Sequence, residues 1–461
     1  MIPKHAVALA LADTMLARDA SLNALMDSAI WAFGKAWPWV PDLCTAIHAR
    51  TGDHFHHFSR DELADIIAAN SAFRAAWSDG NAPQILRYSV DLPRRPAPPA
   101  WLAALALPAL PALGDLAQWL GLSVSELDWF ADRWRLPALP PTSLQHYHYR
   151  WVAKRSGGWR LIEIPKPRMR CMQQKILREL LDRVPLHAAA HGFRQGHSCV
   201  THAALHSGKR VLIRMDLKNF FPSIPAARVQ ALFAKLGYSA SVAGALARLC
   251  VNRTPAAVFR EHDIDQGMAK GKDKGAMLNG TSAMAWAERQ VFRTPHLPQG
   301  SPCSPALANL CAYRLDLRLE SLAASVGALY SRYADDLAFS GGRELERAAD
   351  RFHAQVAAIA IEEGFGVNTR KTRIMRAGTR QQLTGIVVNR HPNVLRSEFD
   401  TLKAILNNCV RQGPASQNHA QHPQFRQFLE GKVAWVSALN PARGAKLQGM
   451  LDAIAWPPGA R

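Results

Sequence analysis

A mixed α/β domain framed by helical segments is what this sequence predicts. From Tyr147 to about Asn389, short β-type runs such as "YHYRWVAK" and "WRLIEIP" alternate with amphipathic helical stretches, punctuated by glycine and proline. Before that domain, residues 1 to about 90 place apolar residues at helical spacing with little β-branched sequence, which predicts a helical extension. After it, residues 391–461 again read as helical and basic.

The order of elements follows from local signals. "LPRRPAPPAW", starting at Leu92, is too rich in proline for a helix and marks a linker near 92–111, so the extension is expected over 1–140 and the α/β domain over 141–390. Leu113 to Trp134 predicts two short helices around a Gly121 stop, the second starting at Ser123 or Ser125. In the domain, Ser156-Gly157-Gly158 reads as a hairpin turn. Helices are then expected over 168–183, 226–236, 305–324 and 344–363, with strands over 210–217 and 382–389 and a strand pair around 333–340. Residues 252–297 form an insertion whose "GMAKGKDKGAMLNGTS" reads as a Gly- and Lys-rich loop, either an RNA contact or a solvated excursion.

Lys and Arg number 56 against 36 Asp and Glu, a formal charge of +20. Such an excess calls for a polyanionic partner, nucleic acid first, although a ribosome-associated or membrane-surface protein also fits. Seven cysteines without a CxxC pair argue against a zinc site or disulfide framework. No run of about 18 apolar residues is present, so a cytoplasmic protein without a membrane span is expected.

Two sites carry chemistry. In Arg332-Tyr333-Ala334-Asp335-Asp336-Leu337-Ala338-Phe339-Ser340, adjacent carboxylates interrupt an apolar strand-like run. Burying them is costly unless something positive offsets them, and hard divalent cations prefer oxygen ligands; the bland alternative is a surface hairpin with an Asp-Asp turn. Asp216, at the end of the apolar strand in "VLIRMDLKNFFPSI", supplies a third carboxylate. Two metal ions about 4 Å apart need such carboxylates from separate strands.

Together these segments resemble the reverse transcriptase family, with Tyr333-Ala334-Asp335-Asp336 as its Tyr-x-Asp-Asp turn and "LPQGSPCSPALANL" (297–310) as the segment under the incoming nucleotide. The resemblance spans about residues 147–390 and implies a right-hand polymerase with fingers, palm and a small basic thumb over 391–461. It implies catalysis by Asp216, Asp335, Asp336 and Lys371, and two Mg2+ ions, with Mn2+ as a substitute, held by Asp216, Leu217, Asp335 and Asp336. Nucleotide contacts carry over to Lys154, Arg160, Phe221, Gln299 and Gly300.

Three features resemble the bacterial retron-type branch: "SPCSP"; "HAALH" (202–206), where that branch carries Asn-Ala-x-x-His and this chain has His at 202; and Leu383-Thr384-Gly385, where the branch has Val-Thr-Gly. They imply RNA recognition by His206, Leu383, Thr384 and Gly385. The resemblance further implies an RNA-directed DNA polymerase that copies a structured noncoding RNA into RNA-linked single-stranded DNA from dNTPs, alongside an effector protein in antiphage defence. The rival expectations are an abortive-infection or diversity-generating reverse transcriptase, and a non-catalytic RNA-binding protein with a polymerase fold. Residues 1–140 could dock an effector, bind RNA or brace the fingers, and His54, His56 and His57 lack the partner pattern of a metal site.

Overall fold

A computed structural model describes residues 4–77, 82–88, 99–132, 144–154, 157–262 and 286–456. Ser156, the first residues of the proline-rich linker (92–98) and the Gly- and Lys-rich loop of the insertion lie outside the described residues. The chain forms two compact units, one made of Met1–His148, Pro165–Val184 and Ala226–Val251, the other of Tyr149–Ile164, Pro185–Pro225 and Asn252–Arg461.

The first unit is helical. Its N-terminal helices α1 (Lys4–Leu16), α2 (Leu22–Phe33), α3 (Val40–Thr51), α4 (Arg60–Ala69) and α5 (Ser71–Ala75) enclose a core that includes Leu11, Met15, Leu25, Phe33, Leu43 and Phe73. The starts of α2 and α4 are set by serine caps: Ser21 accepts from the Ala24 N–H, and Ser59 forms a reciprocal capping box with Glu62. A short helix, α6 (Ala100–Ala103), follows, then α7 (Leu113–Leu120), which stops at left-handed Gly121, and α8 (Val124–Phe130), which starts from a Ser123–Glu126 capping box. Ser123 rather than Ser125 is therefore the cap. Helices α9 (Pro167–Glu179), α11 (Ala226–Lys235) and α12 (Ala240–Cys250) belong to this unit, where buried Gln173 on α9 donates to the Tyr147 hydroxyl and to the Leu249 carbonyl.

The second unit is built on a five-stranded sheet. Its centre, β3 (Val211–Lys218), pairs antiparallel with β5 (Asp336–Gly341) on one side, and with β6 (Gly366–Val367) and β7 (Arg373–Arg376) on the other. The outer strand β4 (Leu329–Tyr333) pairs with β5. Helix α16 (Arg343–Glu362) covers this sheet with a stripe of Leu345, Ala349, Phe352, Val356 and Ala360, the spacing of one helix face. The hairpin of β1 (Tyr147–Ala153) and β2 (Trp159–Pro165) is a separate two-stranded sheet. Helices α10 (Cys199–Leu205), α17 (Arg396–Gln412), α18 (Phe425–Leu439) and α19 (Pro441–Asp452) share a further core around Leu406, Val433 and Leu447. No helix among the described residues is long and apolar enough to cross a membrane.

Two elements depart from the sequence expectation. The single helix expected over 305–324 is two, α14 (Ser304–Cys311) and α15 (Tyr313–Ala324), because Ala312 sits at φ −86°, ψ 0° between them. The strand expected over 382–389 is a tight hairpin of β8 (Gln382–Leu383) and β9 (Ile386–Val387), because Thr384 and Gly385 both take positive φ, +45° and +88°, as a two-residue turn of this hand requires. A further helix, α13 (Trp286–Arg293), precedes the segment that runs to Gln299.

The break at Ala312 places Asp316 in the first turn of α15, where it meets Arg332 on β4. Both side chains are fully buried, and the guanidinium donates to both Asp316 oxygens at 2.8 and 2.6 Å, to Asn309 Oδ1 at 2.9 Å and to the Ala334 carbonyl at 3.1 Å. Removing one partner of such a pair strands a charge, so Asp316→Ala is expected to cost about 3–5 kcal/mol in denaturant unfolding, and clearly less is expected for Glu346→Ala, whose partner Arg210 is more than half exposed. Equal losses in the two variants would contradict this account.

Candidate active site

Antiparallel pairing of β3 with β5 puts Asp216 directly opposite Asp336, and β4 and β5 are joined through Ala334 and Asp335. Ala334 takes φ +58°, a conformation costly for a residue with a Cβ. The surroundings hold it there. Arg332 bonds its carbonyl, and Gly192 packs so closely that a Cβ on it would lie 2.6 Å from the Ala334 nitrogen. His191 and Arg332 pin the same edge, since His191 N donates to the Arg332 carbonyl and Arg332 N to the Ala189 carbonyl, each at 2.8 Å.

The three carboxylates have unequal partners. Asp216 receives Lys371 Nζ at 3.0 and 3.1 Å and Asn368 Nδ2 at 3.3 Å, while Asn368 N donates to its carbonyl at 2.7 Å. Asp336 is gripped by the Arg214 guanidinium at 2.8 to 3.0 Å, a fork on a carboxylate. Asp335 has no ion pair among the described residues. Burial, then the neighbouring charges of Asp336 and Asp216, push its carboxyl up to about 6. Burial also raises Asp336, with Arg214 opposing.

Asp335 is thus a half-buried carboxyl with no cation in direct contact among the described residues, beside oxygen ligands that suit a hard divalent cation. Among the described residues no three His, Cys, Asp or Glu side chains are already arranged to hold a metal ion by themselves.

The other expected residues fall into separate places. Leu217 follows Asp216 with its side chain buried, and its N–H donates to the Asp335 carbonyl at 2.9 Å. Phe221 is half-buried beside Phe193 and Phe220. Lys154 and Arg160 lie on the β1–β2 hairpin. Gln299 joins that hairpin through its carbonyl, which accepts from Glu163 N at 2.9 Å. Gly300 takes φ +139° where a Cβ would lie 2.6 Å from the Glu163 carbonyl oxygen, so both conformation and space require glycine.

Two of the four residues expected to read RNA, His206 and Leu383, are enclosed. His206 is fully buried, its ring nitrogens paired with the Ser340 and Ser331 hydroxyls at 2.7 and 2.6 Å, and burial lowers its pKa to about 3. From that position it links Ser331 on β4 to Ser340 on β5. Leu383 is core, leaving Thr384 and Gly385 at the hairpin tip. Sequence reading missed Arg214, Asn368, Asn309 and Asp316. Arg214 was detectable as a cation inside an apolar strand two residues before Asp216, hence on the same face; nothing in sequence marks Asn368.

Comparison with known proteins agrees with this geometry. Residues 152–393 match the family model "Reverse transcriptase (RNA-dependent DNA polymerase)". The chain belongs to the reverse transcriptase family, in its bacterial retron-type branch. Relatives include "Retron Mx65 reverse transcriptase" and "Retron Mx162 reverse transcriptase" of Myxococcus xanthus, 37% and 33% identical over 72% and 74% of this chain and 69% and 66% of theirs. "Retron Ec86 reverse transcriptase" of Escherichia coli is 27% identical over 53% of this chain and 63% of its own length. The matched region of this reverse transcriptase therefore begins within β1 and contains all three carboxylates.

A raised carboxyl pKa makes the charged form unfavourable in the fold, so the metal-free enzyme should lose stability as pH rises from the ordinary value of 3.8 through about 6. Asp335→Asn is expected to raise the metal-free Tm at pH 7, by ~1 °C per kcal/mol of repulsion removed in a chain of this length, with the advantage vanishing near pH 4. A gap that stays constant from pH 4 to 7 in thermal melts would rule out this origin.

Proposed function

We propose that this reverse transcriptase makes retron-type DNA: it copies part of a structured noncoding RNA into single-stranded DNA that stays joined to the RNA, by a two-metal mechanism, and serves antiphage defence with an effector protein. The observation that carries the polymerase reading is Asp216 facing Asp336 across β3 and β5, with Asp335 uncompensated at the turn. The retron relatives support the choice of product.

In this reading the α/β part over 141–390 supplies fingers and palm, residues 391–461 a basic thumb, and residues 1–140 an accessory helical extension. Asp216, Asp335, Asp336 and the Leu217 backbone would hold the metal ions, Mg2+ with Mn2+ as a substitute. When bound, such ions favour ionisation of the attacking hydroxyl and offset charge on the leaving pyrophosphate. Arg214 keeps the Asp336 carboxylate aimed. Lys154 and Arg160 clamp the triphosphate, one as a point charge and the other as a fork. Phe221 crowds the 2′ position of the sugar and so favours dNTPs, and Gln299 and Gly300 form the floor of the nucleotide pocket. Lys371, held at 3.0 Å from Asp216, is placed to give a proton to departing pyrophosphate. Thr384 and Gly385 are the part of the 383–385 segment open to RNA, whereas His206 and Leu383 support it from the core. Arg396, Lys403, Arg411, Arg426 and Lys432 would follow duplex phosphates.

The test is expression with the native flanking DNA and sequencing of the nucleic acid that copurifies. A short DNA covalently joined to a structured RNA, present with the wild type and absent with Asp335→Ala/Asp336→Ala, is the expected result. RNA without DNA in both, followed by no extension of a supplied RNA template with Mg2+, would leave RNA binding as the function.

A further inference from the structure

The catalytic reading leaves unused a fully buried acid–base pair, Glu163 and His296. We propose that Glu163 and His296 are positioning residues: a buried clamp that sets the Gln299–Gly300 segment for nucleotide binding and fastens there both ends of the 252–297 insertion. It rests on the reading of Gln299 and Gly300 as pocket residues.

The Glu163 carboxylate is fully enclosed and each of its oxygens is occupied. Oε1 accepts from Asn252 Nδ2 and from Thr254 Oγ1, both at 2.8 Å, and Oε2 receives His296 Nε2 at 3.0 Å. His296 Nδ1 in turn faces the Thr294 carbonyl at 2.8 Å. A buried carboxylate is tolerable only when its lone pairs are filled in this way, so the three donors are fixed in space by one side chain. The donors come from opposite ends of the insertion. Asn252 and His296 also exchange both backbone hydrogen bonds at 2.9 Å, and Thr254 N donates to the Phe292 carbonyl at 3.1 Å. Three residues beyond His296 the chain reaches Gln299, bonded to Glu163 N, and then Gly300, pressed against the Glu163 carbonyl. Backbone and side chain of one residue on β2 therefore hold the same segment at two points. Because β2 also carries Arg160, the clamp fixes the distance between triphosphate cations and pocket floor.

Steady-state extension of a supplied RNA template and DNA primer by the full chain, with Mg2+ and varied dNTP, tests this. Glu163→Ala strands three buried donors and is expected to raise the dNTP KM about tenfold or more, with kcat within about threefold and primer–template Kd unchanged. Glu163→Gln should return KM to within about threefold of wild type, because its amide oxygen can accept from Asn252 and Thr254 and its NH2 can donate to a neutral His296. An unchanged dNTP KM in Glu163→Ala, or equal losses in dNTP and primer–template affinity, would overturn the clamp. Should Glu163→Ala prove insoluble, Thr254→Val, which removes one donor at constant shape, decides by the same readout: a KM rise of about threefold supports the clamp and no rise overturns it. Gln299→Ala run in parallel separates the two claims. If it leaves KM unchanged, the pocket reading fails and the clamp with it; if it raises KM while Glu163→Ala does not, only the clamp fails.

Discussion

The buried ion pair between Arg332 and Asp316 is the constraint on which the turn from Tyr333 to Asp336 depends. A guanidinium at zero exposure would be prohibitively costly alone, yet here Asp316 takes two of its donors, Asn309 a third and the Ala334 carbonyl a fourth contact. Tyr330 adds a hydrogen bond to Asp316 at 2.7 Å, and Asn309 passes the chain of bonds on to the Gly192 carbonyl. Strand β4, helices α14 and α15 and the segment at Gly192 are thereby tied to one turn. The left-handed Ala334 can persist because that network over-determines it.

What the turn holds is an unfavourable arrangement when viewed by itself. Three carboxylates converge, and among the described residues two of them have cationic side chains in direct contact. Lys371 and Arg214 neutralise Asp216 and Asp336 by direct contact, which leaves Asp335 to carry the repulsion and accounts for the rise of its carboxyl to about 6. A rigid frame that stores electrostatic strain at one unpaired acid is suited to a cation, since binding then relieves repulsion and needs little reorganisation.

Buried polar pairs recur in the second unit, and each fixes something that loops alone would leave loose. Arg332–Asp316 shapes the turn, His206 with Ser331 and Ser340 braces the strands beneath it, and Glu163–His296 closes the base of the insertion. His202 is the contrast: fully buried, with both ring nitrogens unpartnered and its pKa lowered to about 3 by burial, it sits where Asn was expected and packs by shape against His206 and Tyr333. The first unit has apolar helix faces and serine caps, with buried Gln173 bonded to Tyr147 and Leu249.

The sequence by itself marked most of the elements and singled out three acids. Helical spacing, Gly121, Ser123 and the alternation around 147–165 are local signals, and Asp216, Asp335 and Asp336 stood out because charge inside an apolar strand must be explained by function. Only the tertiary structure decided what surrounds them. Arg214 on Asp336, Glu163 against His296 and Asn368 on Asp216 join residues from about 120 to more than 150 positions apart, Asp316 meets Arg332 on a different element, and no periodicity encodes such partners. For the same reason His206 and Leu383, plausible as surface contacts in sequence, are core: exposure is a property of packing, which the whole chain sets at once.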